Sequence, residues 1–154
     1  MRTAEEWFSH YSRDHQHPTN RAIHWVCVPA ILWASIAALW TIPVPGQLSA
    51  PGAWSWLAMT FALVFYFRMS RRLGWVMLGL FVFLGMLTNA LYWRLGSMRL
   101  LALAAAVFVL AWVGQFIGHI FEGKRPSFLT DLSYLMVGPG WLVSKVMRRA
   151  GLAY

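Results

Sequence analysis

The chain has 154 residues, 59% of them hydrophobic and only 12% charged, and its formal charge is +8. That length bounds it to one domain, and that composition makes a bilayer, not water, the expected solvent. The thirteen Lys and Arg stand in short clusters between long apolar runs, as membrane-flanking charges do, which argues against nucleic acid as a partner. A single cysteine, Cys27, excludes an internal disulfide framework and any Cys-rich zinc or iron-sulfur site.

Residues 1–20 form a polar amino-terminal arm with acids at Glu5, Glu6 and Asp14. The arm lacks a compact apolar core with a small-residue cleavage site, so the first span is expected to insert uncleaved. His15 and His17 stand just before Pro18, which with Thr19 and Asn20 reads as a helix start: proline early, then a small polar cap. A helix needs about twenty mostly apolar residues to cross the hydrocarbon, and four spans are predicted near 22–44, 52–67, 73–93 and 98–121. Pro43, Pro45, Gly46, Pro51 and Gly52 punctuate the first connection, and Gly96 with Ser97 marks the third. The stretch 128–150 is apolar, but Asp131 and Gly138-Pro139-Gly140 interrupt it, so a re-entrant or interfacial helix pair is expected in place of a fifth span. The predicted fold is an all-α integral membrane protein: one domain over 1–154, a bundle of four transmembrane helices with the polar arm and that tail.

Orientation follows from the basic residues, which are retained on the cytoplasmic face. Arg2, Arg13, Arg21, Arg68, Arg71, Arg72, Lys124, Arg125, Lys145, Arg148 and Arg149 all fall on one side of a four-span topology. Only Arg94 and Arg99 fall on the other, so the amino terminus is predicted to be cytoplasmic.

An antiparallel bundle brings His24, early in the first span, to the same side as His119 and Glu122, in the last turn of the fourth. His119 and Glu122 are three apart and share a helical face, a spacing that supplies two ligands or a ligand and a base. Gln115, four residues before His119, extends that face inward. His15 and His24 can converge only if the chain bends at Pro18. Ionisable groups at membrane depth are expensive unless paired or coordinated, and these are read as a metal site. The bland alternative has His24 wet at the interface and Glu122 paired with Lys124 or Arg125, and it is the preferred account of His10 and His17. Gly114 and Gly118 form a small-xxx-small face for close helix packing. Asn89 is expected to make an interhelical hydrogen bond, and the ten tryptophans to anchor or pack. Membrane di-iron sites need more imidazoles than five histidines supply, so one metal is the ceiling. Composition leaves Fe(II) for oxygen activation and zinc for hydrolysis both open.

Two segments carry a resemblance. Tyr11-Ser-Arg-Asp-His15-Gln-His-Pro18-Thr-Asn20-Arg-Ala-Ile-His24, followed by Val28-Pro29, and Trp112-Val-Gly-Gln115-Phe-Ile-Gly-His119-Ile-Phe-Glu122-Gly-Lys-Arg-Pro126 are similar to the signatures of the 2-hydroxy fatty acid dioxygenases of phytosphingosine breakdown. The resemblance implies an Fe(II)-dependent enzyme that takes a 2-hydroxy fatty acid and O2, cleaves C1 from C2 and leaves a fatty acid one carbon shorter. It implies His15, His24 and His119 as iron ligands, with Glu122 as a fourth ligand or proton acceptor and Asn20 and Gln115 orienting the ligands. Arg21, Lys124 and Arg125 would draw in the carboxylate, and the acyl tail would lie between helices or in lipid. A bacterial inner membrane is the expected location, and such an owner need not make phytosphingosine. The competing classes are a haem-binding carrier with His24 and His119 as axial ligands, and a metal-free structural or lipid-packing membrane protein.

Overall fold

The computed structural model describes residues 4–13, 15–45, 50–123 and 133–154, the last without the side chains of 133–135. Six helices follow in order: α1 (Ala4–Arg13), α2 (Pro18–Trp40), α3 (Ala53–Met69), α4 (Arg71–Leu95), α5 (Ser97–Glu122) and α6 (Ser133–Arg149). There is no strand among the described residues. Three helices, α2, α4 and α5, are long and apolar enough to cross a membrane. With 17 residues, α3 is about 26 Å long.

Local chemistry explains where the helices begin and end. The cap of α2 is His17, not the small polar pair after the proline: its ring Nδ1 accepts the Thr19 N–H at 3.2 Å. Pro18 occupies the first turn, where a missing N–H costs nothing, so the capping group must precede it. α2 stops at Trp40, short of the expected 44. Thr41 caps it, its backbone N–H and hydroxyl both donating to the Ala38 carbonyl, and Pro43 disfavours helix at the residue before it. The connection expected at 68–72 shrinks to one extended residue, Ser70, whose hydroxyl accepts the Leu73 N–H. Gly96, at φ 78°, makes the turn between α4 and α5 that a side chain would strain. Gly46 lies outside the described residues.

α2 packs most extensively on α5 and α3 on α4, while α3 does not pack appreciably on α5. A Cβ on Gly114 would stand 2.7 Å from Cys27 Sγ, and one on Gly118 would stand 2.5 Å from Asn20 Oδ1. The two glycines therefore set the α2–α5 approach, as their spacing predicts. α4 and α5 turn large apolar side chains outward, Phe83, Met86, Leu110 and Ile120 among them. That pattern is the inverse of a water-soluble surface. Asn89 is exposed and makes no interhelical bond among the described residues; its neighbour Thr88 is buried and bonded to the Leu84 carbonyl of its own helix at 2.7 Å.

Among the described residues of the carboxy-terminal segment, one helix stands in place of the expected pair. Gly138-Pro139-Gly140 lies inside α6. A Cβ at Gly140 would meet the Tyr66 ring at 2.9 Å and one at Gly138 the Tyr11 hydroxyl at 3.2 Å, so the glycines admit neighbours as much as they loosen the helix. The Tyr66 hydroxyl donates to the Met136 carbonyl at 2.6 Å, an external bond in the stretch where proline removes an internal donor. α6 lies across the histidine end of the bundle, with Trp141 against Ser12 of α1 and Arg149 over the Trp25 ring of α2. The amino-terminal arm is itself largely helical: α1 buries Ala4, Phe8 and Tyr11 at helical spacing and packs on α6.

Candidate metal centre

Three histidines from three separate places meet in one buried cluster. His15 follows α1 at the bend before Pro18, His24 lies in the second turn of α2, and His119 in the last turn of α5. Their exposures are 5%, 1% and 9%, and one ligand nitrogen from each lies within 4.8 Å of the other two. The rings stand edge-on to one another, with centroids 4.4 Å apart for His15 and His24 and 5.3 Å from each to His119. Proline 18 provides the bend that sequence spacing demanded.

The outer nitrogens fix the tautomers of two rings. His15 Nδ1 donates to the Tyr11 carbonyl at 2.8 Å and His24 Nδ1 to the Asn20 carbonyl at 2.9 Å. A carbonyl only accepts, so each Nδ1 carries a hydrogen, and each Nε2 is turned inward toward the other ring. Those two Nε2 atoms are 3.0 Å apart. Two lone pairs at that distance repel unless a proton or a cation lies between them. Two imidazole nitrogens bonded to one metal at about 2.1 Å and at a right angle would stand about 3.0 Å apart. The donor set thus fits a divalent ion of the kind imidazole favours, iron and zinc among them.

Glu122 sits beside the cluster with both oxygens engaged. Oε1 accepts the Gln16 N–H at 2.6 Å, and Oε2 accepts the His17 N–H at 3.0 Å and the Asn20 amide at 2.9 Å. The carboxylate of α5 thereby clamps the bend that carries His15 to the first turn of α2, where an anion suits the helix dipole. Asn20, fully buried, holds Glu122 with its side chain and His24 with its carbonyl, while its Oδ1 rests over Gly118. Gln115 is buried one turn inward of His119 and lines the cavity described next.

From the cluster a cavity of about 220 Å³ extends into the bundle. Tyr11, the three histidines and Gln115 line one end, and Val28, Ile31, Leu39 and Met59 line the rest. Arg21 is exposed on the first turn of α2 and does not line the cavity. It belongs to a cationic patch: burial, and then Arg21, Arg149 and Arg148, hold the Lys145 ammonium below the usual lysine range. Lys124, Arg125 and Asp131 lie outside the described residues. His10 is exposed and His17 serves as the α2 cap, and neither joins the cluster.

Tyr11, Trp141 and Tyr66 shape the site without having been singled out in the sequence. Tyr11 stacks on the His15 ring at 4.1 Å, and the Trp141 indole, 5.8 Å from that ring, donates to Ser12 Oγ at 2.8 Å. For Tyr11 a signal existed, since a residue four before a histidine on a helix offers it a carbonyl.

A helical bundle with three helices of spanning length, and three buried imidazoles close enough to hold one metal at the polar end of an apolar cavity, define a membrane protein with a candidate metal site. The family described as 2-hydroxy-palmitic acid dioxygenase Mpo1-like matches residues 1–150, and the chain belongs to that family. It is 26% identical over 143 residues to the 2-hydroxy-palmitic acid dioxygenase MPO1 of Saccharomyces cerevisiae, across 92% of this chain and 78% of the yeast protein. No solved structure matches it.

Proposed function

We propose that the chain is an Fe(II)-dependent dioxygenase that shortens 2-hydroxy fatty acids by one carbon, with His15, His24 and His119 as the iron ligands. The observation that carries this reading is the convergence of one ring nitrogen from each of three buried histidines within 4.8 Å, at the polar end of an otherwise apolar cavity. Family membership supports the substrate class. The overall reaction balances without an external reductant: a 2-hydroxy acid and O2 give the shorter acid, CO2 from C1, and water. Iron held there would supply oxygen activation and a binding point for the two head-group oxygens.

The residues of the chain supply position. Carbonyls of Tyr11 and Asn20 hold two imidazoles with their lone pairs inward, which also raises their basicity as ligands. Glu122 keeps the His15 bend against α2 and α5, acting through the ligands it positions. Gln115 offers an amide to the acid's hydroxyl or carboxylate beside His119. Arg21, with its cationic neighbours, draws the carboxylate to this face, the role also proposed for Lys124 and Arg125. We further propose that α3 crosses the bilayer as a fourth span, that α6 is interfacial, and that the histidine end is cytoplasmic in a bacterial inner membrane.

The test is metal analysis of anaerobically purified protein, then assay of a 2-hydroxy fatty acid with O2, with and without Fe(II). The expected result is about one iron per chain and an odd-chain product from an even-chain substrate. Each of His15→Ala, His24→Ala and His119→Ala is expected to abolish both while helicity persists. Retained turnover in all three would overturn the reading, and a Soret band would favour haem instead.

A further inference from the structure

α3 and α5 flank the cavity yet do not pack appreciably on each other, so the cavity is a cleft between them with α2 as its back wall. Resting on the dioxygenase reading, we propose that this cleft is the acyl-chain site: the tail lies along α2, its head at the three histidines and its end near Leu39 and Ala58.

The lining is graded as such a substrate requires. Polar atoms gather at the histidine end, and beyond Val28 the wall offers almost none that needs a partner. Ser35 lines the cleft, but its hydroxyl donates to the Ile31 carbonyl of its own helix at 2.8 Å. The Tyr66 hydroxyl is likewise committed, to Met136. An alkyl chain therefore meets no unsatisfied polar group, the condition for apolar burial without penalty. On the α3 wall Ala58 and Ala62 stand beside the larger Met59 and Tyr66, and α5 contributes Trp112.

The cleft is also long enough. Cleft-lining residues run from His24 to Leu39, a rise of about 22 Å along α2. An acyl chain of one leaflet spans about 15 Å, half of the hydrocarbon core. Outside the cleft, Leu57 and Phe61 of α3 and Val113 and Phe116 of α5 are exposed apolar side chains, so its flanks match hydrocarbon. The bilayer is then the source of the tail, which reaches the site without passing through water.

A 2-hydroxy fatty acid carrying a diazirine on its terminal carbon tests this on the full chain in lipid nanodiscs. After photolysis, adducts mapped by peptide mass spectrometry are expected on Ile36, Leu39 or Ala58, and to be displaced by unlabelled 2-hydroxy acid. Adducts confined to outward residues such as Phe61 or Val109, or labelling that does not compete, would overturn the proposal. This readout needs no turnover, so an inactive protein labelled in the cleft would sink the dioxygenase reading and leave the acyl site standing. In the active protein, Ala58→Phe is expected to lower the ratio of long-chain to short-chain kcat/KM by about tenfold or more. An unchanged ratio in folded protein would count against the site.

Discussion

Both carboxylate oxygens of Glu122 are occupied by N–H donors from residues 16, 17 and 20, which separates two roles for an acid beside three imidazoles. A ligand would have to keep a lone pair for metal beside those bonds; a strut need not. Glu122→Ala is expected to cost about 1–2 kcal/mol, the usual penalty for losing a charged helix-start acceptor. It should also weaken iron binding by about 10–100-fold, the range for losing groups that orient metal ligands. Glu122→Gln keeps an acceptor and should hold full iron at saturating Fe(II), checked by metal analysis beside thermal melting. If the Gln variant binds none, the carboxylate is itself a ligand. At this scale the sequence was informative where cost was visible: an imidazole or carboxylate at membrane depth demands a reason. Trp141 carries no such cost, and only the fold shows it against His15.

Helix approach decides whether the cluster can form, because His24 and His119 stand on different helices and inherit the α2–α5 distance. Gly114→Ala and Gly118→Ala each add a methyl where 2.7 Å remains to half-buried Cys27 and 2.5 Å to buried Asn20. Each is expected to destabilise by about 1–3 kcal/mol through overpacking, and Gly118→Ala to reduce iron occupancy by pushing Asn20 aside. Gly79→Ala is the control: nothing lies within 4 Å of its added Cβ, so the variant should be neutral or more stable by up to about 1 kcal/mol. Melting curves in detergent rank the three. That α5 packs closely on a neighbour was readable from the Gly-x-x-x-Gly spacing, and the long helices from hydropathy; that the neighbour is α2 was not. The state of α6 was not, because Gly-Pro-Gly is locally a helix breaker. What keeps the helix whole is the closeness of Tyr11 and Tyr66, residues far away in the chain.

In the whole molecule the two ends meet. Arg148 touches Glu5 at 2.9 Å and the Tyr154 ring packs edge-on against Phe8, so α1 and the end of α6 share one face of the bundle. The ion pair is exposed and contributes little stability, but it reports proximity. An odd number of crossings between α1 and α6 would separate them by the thickness of the bilayer, about 30 Å of hydrocarbon. Three helices have spanning length and hydropathy, so the contact agrees with the proposal that α3, between α2 and α4, is a fourth crossing. At about 26 Å it would be slightly short, a mismatch that local thinning would meet. Basic residues then predict which face this is: Arg13, Arg21, Arg68, Arg71, Arg72 and Arg148 gather at the shared end, against Arg94 and Arg99 opposite. Fusions of a reporter that fluoresces only in the cytoplasm, placed at either end, should therefore both be bright. A periplasm-dependent phosphatase should be active only when inserted at the α4–α5 turn beside Gly96. One bright end and one dark would mean an odd number of spans, and would place the Arg148–Glu5 contact on opposite sides of a membrane, where it cannot exist.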